Sequence, residues 1–186
     1  MKEDLSPYVM STIDDDKKRF TDIYNRESDS LFRFCLTRVT DRERALDITQ
    51  EAFTRLWNSI VTGKVVENPR ALLFVIARNL IIDWYRRTKS VSLEGMSLGD
   101  EDREFDPPDP EATVDIEMGA EVGRVLRMLD NLEPQFKEVI YFRYVEDLPP
   151  KDIAEILELN PNTVSVRLTR GMEALRGLMG IQENER

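Results

Sequence analysis

Residues 149–179 read PPKDIAEILELNPNTVSVRLTRGMEALRGLM. The stretch divides into a short helix from Pro150 to Leu157, a tight connection from Glu158 to Asn160, and a longer helix opened by Asn160-Pro161. Asparagine caps the free N–H groups of a first turn, and proline fits there because that turn needs no donor from it. Two helices joined so tightly form a helix-turn-helix. Ala154 is small where the helices would cross, and Val164 falls where the second packs back on the first. Along the second helix, Val164, Leu168, Gly171, Met172, Leu175 and Leu178 recur at helical spacing and predict the inner face. Thr163, Val166, Arg167, Thr169, Arg170 and Glu173 then point outward. Arginine, threonine and serine can read base edges or grip phosphates, and valine can touch a thymine methyl.

Upstream, Val114 to Leu132 has helical spacing, and Pro134 opens a helix carrying Phe136, Val139, Ile140 and Tyr144. Before these lies VSLEGMSLGDEDREFDPPDPEAT, residues 91–113. It holds eight acids and one base, with three prolines, two glycines and no periodicity. Such a segment buries too little apolar surface to offset its ordering entropy, so it reads as a flexible acidic linker. Stretched, its 23 residues reach roughly 80 Å. Residues 114–180 form one helical domain, followed by a tail, 181–186.

Residues 19–90 form another helical domain, preceded by an acid-rich arm, 1–18. Phe32, Cys35, Leu36 and Val39 share one helix face. Thr40 and Asp41 can cap the next helix, DRERALDITQEAFTRLWNSI (41–60). Its apolar half contains Ala45, Ile48, Ala52, Phe53, Leu56, Trp57 and Ile60. Opposite runs a narrow polar stripe of Asp47, Gln50, Glu51, Thr54 and Asn58. Asn68-Pro69 starts a third helix, apolar nearly all round until Asn79, which predicts the buried centre of the domain. Its far end turns basic and aromatic, with Arg78, Trp84, Tyr85, Arg86 and Arg87. That pattern suits nucleic acid by phosphate pairing and stacking, and equally suits a helix end that covers a core with its long stems.

The bulk numbers bound the function. The 186 residues carry a net charge of −10, so phosphate attraction alone would give weak DNA binding. One cysteine excludes a disulfide framework, and no histidine removes the commonest general base and a common zinc ligand. No apolar run is long enough for a membrane span and the N-terminus is not a signal peptide, so a cytoplasmic protein with no membrane insertion is expected. With no glycine-rich phosphate loop and no metal-ligand cluster, no catalytic residue, cofactor or metal is expected.

Asp47-Ile48-Thr49-Gln50-Glu51-Ala52-Phe53 resembles the D-x-x-Q-E-x-F signature of bacterial sigma factor region 2, and residues 78–87, RNLIIDWYRR, resemble the end of that region. Residues 132–176, from LEPQF to EALR, resemble region 4. Two such regions with no domain between them look like the extracytoplasmic-function (ECF) class. The resemblance implies an all-α fold of two small helical domains, a region 2 bundle and a region 4 helix-turn-helix. It implies a non-enzymatic initiation factor that carries core RNA polymerase to promoters. Asp47, Gln50, Glu51 and Thr54 would dock on the β′ clamp helices, while region 4 would meet the β flap. Lys64, with the loop 62–67, and Arg78, Asn79, Arg86 and Arg87 would handle the −10 element, where a base is flipped from the non-template strand. Thr163, Ser165, Val166, Arg167, Thr169 and Arg170 would meet the −35 element. An anti-sigma factor is a further expected partner. Glu158 and Asp147 stand where this pattern often has glycines able to take positive φ. The competing reading is a helix-turn-helix regulator that acts without polymerase docking; it leaves the polar stripe at 47–51 unexplained.

Overall fold

The computed structural model describes residues 7–39, 41–93 and 127–178. From Glu94 onward the expected linker lies outside these residues, as do Val114 to Leu126 of the expected following helix and the tail. Among the described residues the regular structure is helical throughout. The elements are α1 (Pro7–Val39), α2 (Arg42–Val61), α3 (Pro69–Leu93), α4 (Pro134–Ile140), a π-turn (Tyr141–Val145), α5 (Pro150–Leu157) and α6 (Pro161–Leu178). Residues 7–18, read from the sequence as an arm, are the first turns of α1, and α3 runs three residues into the segment read as linker.

Helices α1, α2 and α3 pack pairwise into a bundle. Its ends are set by local chemistry. Asp41 Oδ1 accepts from the backbone N–H of Glu43 at 2.9 Å and of Arg44 at 3.3 Å, capping α2. Asn68 Oδ1 accepts from Ala71 N at 3.0 Å and caps α3. Between them, Gly63 at φ +73° turns the chain where a side chain would be strained. Ala71, Leu73, Phe74, Ala77 and Ile81 of α3 are buried, as its apolar surface requires.

In the second domain, α4 lies against α6 and α5 against α6. Ala154 and Val164 are both buried at the α5–α6 contact. Gly171 lets α6 approach α4; a Cβ there would stand 2.8 Å from Ile140 Cδ1 and 3.1 Å from Phe136 Cβ. Glu158 closes α5 in the left-handed region at φ 55°, and Asp147 turns the chain before α5 at φ 49°. Both are the positions where the sequence pattern implied positive φ. Leu178, expected on the inner face of α6, is instead 57% exposed at the helix end.

The two domains do not keep separate cores. One buried cluster runs through both, and α3 packs on α5. Phe34 of α1 and Phe74 of α3 meet Tyr141 and Phe142 of the π-turn, with ring centroids 5.3 Å apart for Phe34–Phe142, 5.6 Å for Phe74–Phe142 and 5.9 Å for Phe34–Tyr141. The guanidinium of Arg38 is buried over the Phe34 ring at 3.7 Å and the Tyr141 ring at 4.6 Å. Burial lowers the pKa of Arg38, while neighbouring Tyr141 and Glu138 oppose that shift.

Candidate functional site

The polar stripe of α2 faces solvent. Asp47, Gln50, Glu51 and Thr54 are all exposed on one side of the helix, and Ala45, Ile48, Ala52, Phe53 and Leu56 are buried on the other. Its charges are partnered only within the helix. Asp47 lies 3.8 Å from Arg44, and Glu51 accepts from Arg55 Nε at 2.8 Å. Such exposed pairs contribute little stability, so giving them up to a partner costs little. Beside the stripe, between α1 and α2, runs a groove of about 530 Å³ with Phe20, Tyr24, Phe53 and Trp57 in its wall and Gln50 and Thr54 at its rim. Tyr24 is 47% exposed. Sequence reading missed this groove, although the Phe20/Tyr24 and Phe53/Trp57 spacings, each i, i+4, could have marked it.

The candidate −10 residues are distributed along α3 and the loop before it. Lys64 is exposed in that loop, next to Val65, the most exposed large apolar residue described. Asn79 is exposed near the middle of α3, and Arg86 and Arg87 are exposed further along it, roughly 25 Å along the axis from the helix start. The structure therefore does not gather Lys64 with Arg86 and Arg87. Arg78 differs from the rest. It is only about one-fifth exposed, and its Nε lies 3.5 Å from Glu138 Oε1 of the second domain. Trp84 and Tyr85 are partly buried: Arg44 lies 6.0 Å from the Trp84 ring centroid, and the Tyr85 hydroxyl donates to the Arg38 carbonyl. Burial pushes the Tyr85 phenol up to about 12.

The candidate −35 residues sit on α6. Ser165, Val166, Thr169 and Arg170 are exposed, and Thr163 and Arg167 are partly buried. Two hydroxyls are turned onto the helix itself: Ser165 donates to Pro161 O and Thr169 to Ser165 O, each at 3.1 Å. Val166, 49% exposed, presents an apolar tip between them and Arg170.

Sequence reading also missed a buried polar cluster at the domain junction. Glu146, 3% exposed, accepts from Ser30 Oγ, from the Tyr141 hydroxyl at 2.9 Å and from Arg70 at 3.2 Å. Arg70 Nε also lies 3.0 Å from Glu27, itself 4% exposed. Burial and the Glu146 carboxylate push the Tyr141 phenol upward. Among the described residues no group of acids, cysteines or histidines could hold a metal ion, and no helix is long and apolar enough to cross a membrane.

Residues 23–91 match the family pattern of sigma-70 region 2, and residues 123–175 match that of sigma-70 region 4. The chain is 28% identical over 170 residues to the ECF RNA polymerase sigma factor SigW of Bacillus subtilis, covering 87% of this chain and 89% of the relative. It is 30% identical to RNA polymerase sigma factor SigV of the same organism, covering 78% of this chain and 81% of SigV. It is 30% identical to the ECF RNA polymerase sigma factor SigL of Mycobacterium tuberculosis, covering 83% and 85%. The fold is similar to that of the sigma factor RpoE of Bartonella quintana, solved in complex with the anti-sigma factor NepR. That match has a TM-score of 0.61 and 18% identity over 89% of this chain and 99% of the other. It is also similar to CnrH, solved with the cytosolic domain of CnrY, with a TM-score of 0.57 and 18% identity over 94% and 96%. One region falls on the α1–α3 bundle and the other on the helix-turn-helix, and the aligned stretch extends over most of each relative's length. On that ground the chain belongs to the sigma-70 family of RNA polymerase sigma factors, in its extracytoplasmic-function class.

Proposed function

We propose that this chain docks on core RNA polymerase through Asp47, Gln50, Glu51 and Thr54, and that its two domains then read the two elements of a promoter. The observation that carries the reading is the α2 stripe. Four polar side chains stand exposed in register, paired only with their own helix, beside an aromatic groove. A protein surface of matching polarity would cover the stripe and groove together, with the aromatic rings supplying most of the affinity.

In this reading Arg78, Asn79, Arg86 and Arg87, with Lys64 in the preceding loop, contact the −10 element. Thr163, Ser165, Val166, Arg167, Thr169 and Arg170 meet the −35 element in the major groove, where Val166 suits a thymine methyl and Arg170 suits guanine or phosphate. The acidic charge of the whole chain fits the division of labour: polymerase supplies much of the phosphate-binding surface. The chain works where polymerase works, in the cytoplasm. The RpoE structure, solved in complex with the anti-sigma factor NepR, supports an anti-sigma partner for this chain as well. A regulator acting without polymerase is the weaker reading, because residues 23–91 match region 2 and that reading gives the stripe no role.

Run-off transcription with core polymerase on a genomic template library tests the assignment. The parent should initiate at discrete sites. Changing Asp47 and Gln50 together to alanine should cut initiation by on the order of tenfold or more, about 1.4 kcal/mol of docking free energy per decade, with helix content unchanged. Undiminished initiation by the double variant would remove the stripe from the docking surface. A parent that fails to bind polymerase would sink the reading as a whole.

A further inference from the structure

The loop between α2 and α3 is anchored at each end by its own neighbours. The Thr62 N–H donates to Asn58 O at 3.1 Å, Gly63 N–H to Ile60 O at 3.0 Å and Lys64 N–H to Ser59 O at 3.0 Å, so the first half stays on the last turn of α2. At the other end Asn68 caps α3. Residues 65–67 lie between these anchors. Among the described residues, the hydrogen bond that reaches this stretch comes from α1. Arg19 Nη2 donates to Val66 O at 2.7 Å, across 47 positions of sequence.

Arg19 is well placed to hold a loop. A guanidinium donating to a carbonyl makes a charge-assisted bond, stronger than a neutral one. Its own turn of helix is fixed on α2, because the next residue, Phe20, sets its ring 5.2 Å from Trp57 and 6.1 Å from Phe53. The carbonyl it grips stands between two valines of opposite fate. Val66 is 8% exposed and Val65 is 88% exposed. One is kept in the core, and its neighbour is presented to solvent beside exposed Lys64. An apolar side chain so exposed gains free energy from any apolar surface that covers it. A loop already fixed loses little further freedom when that surface arrives. Arg19 precedes residues 23–91, the stretch that matches region 2, so the matched pattern does not include it.

We infer that Arg19 is a positioning residue for strand capture: its bond to Val66 O holds Val65 and Lys64 out from the bundle, where Val65 meets the face of an unpaired base of the −10 element and Lys64 the strand's phosphate. The inference rests on the reading of loop 62–67 as a −10 contact, and adds to it a part supplied by a different helix. Without the tie the loop keeps its two ends, but Val66 O is released to water. The tip then samples more arrangements than the one that fits a base, and binding must select that one again. Phosphate contacts need charge more than shape and are little changed. The loss therefore falls on recognition of the base, not on the general hold on the strand.

The test uses holoenzyme assembled from core polymerase and the full-length chain. The probes are a fluorescent non-template-strand oligonucleotide spanning the −10 element of a promoter recovered by run-off transcription, and the same oligonucleotide with an abasic residue at each position of the element in turn. Anisotropy reads their affinities. The parent should bind the intact strand on the order of tenfold more tightly than the probe that lacks the captured base, the worth of about one stacked base. Arg19→Ala should bring the two affinities close together by weakening the intact probe alone, and Arg19→Lys, which keeps a donor, should restore part of the difference. Lys18→Ala removes the neighbouring exposed cation of α1 and should keep the parent's ratio. Helix content and thermal midpoint of the free chain should be the same in all these variants, because both side chains are exposed. If Arg19→Ala weakens intact and abasic probes equally, the guanidinium grips the strand's phosphates directly and the positioning role is overturned. A ratio that Arg19→Ala leaves unchanged overturns it too. A parent that discriminates at no position removes base capture by the loop, and the role of Arg19 with it, while docking on polymerase, read by formation of the holoenzyme, stands.

Discussion

The α1–α3 bundle and the helix-turn-helix domain solve the same problem with unequal means. The bundle has three long helices in mutual contact and a central helix, α3, with apolar surface nearly all round. It caps two of its helices with Asp41 and Asn68. The second domain has two short helices, α4 and α5, with no side-chain cap on either, and two non-glycine residues held at positive φ. At this size a core is marginal. The second domain completes its own by laying Tyr141 and Phe142 against Phe34 and Phe74. The second domain leans on the bundle more than the bundle leans on it.

The strongest way to break that contrast is Phe142→Ala. The ring is fully buried at the junction, so its loss should cost about 3–5 kcal/mol, nearly all of it from the second domain. Denaturant unfolding should then show two transitions in place of one, with the bundle melting where it did before. A single transition displaced as a whole would mean that the bundle depends equally on its neighbour. Gly171→Ala probes the second domain's interior away from the junction. The added Cβ meets Ile140 Cδ1 at 2.8 Å, and α6 must shift from α4, at a cost of about 1–3 kcal/mol confined to the second domain. Glu158→Gly acts in the opposite direction. It relieves the left-handed strain at φ 55° and should raise the second domain's stability by up to about 1 kcal/mol, read in the Phe142→Ala background as a higher midpoint for the second domain's transition.

Cys35 gives the finest probe of the bundle alone. Burial raises its thiol pKa from 9.0 to about 12, so the folded bundle retains a proton that the unfolded chain gives up. Its contribution to stability is whole below pH 9.0 and is lost as pH rises toward 12, by at most about 1.4 kcal/mol per unit. Cys35→Ala should flatten the fall in bundle stability above pH 9.0. At pH 8 a thiol reagent should modify Cys35 only through opening of the bundle, and Phe142→Ala should leave that rate nearly unchanged.

Most of the helical layout is legible in the sequence because its signals are local. Asp41, Asn68-Pro69 and Asn160-Pro161 mark helix starts by chemistry that acts within three residues. The strained turns at Asp147 and Glu158 are visible as non-glycine residues where the motif needs positive φ. The α2 stripe is legible from periodicity, and the residues on it are exposed as expected. The junction is not legible. Ser30 and Glu146 are 116 positions apart, and a buried carboxylate has no period. Arg78 reads as a basic residue available to DNA, and only the packed structure sets it against Glu138. Leu178 follows the inner-face pattern of α6 but is exposed at its end, since periodicity does not report where a partner helix stops.

The π-turn at Tyr141–Val145 has a consequence for how such a chain can change over generations. Its wider coil brings the N–H of Glu146 onto the carbonyl of Tyr141, five residues back, so that both side chains stand on one face and touch. An extra residue in the coil keeps that alignment. Loss of one codon between 143 and 145 would let an ordinary α-helix re-form and swing everything after it by about 100°. Glu146 would leave the junction while the helix-turn-helix, further along, kept its own internal contacts. Coupling between the domains is therefore heritable separately from either fold, and a single in-frame deletion is enough to discard it.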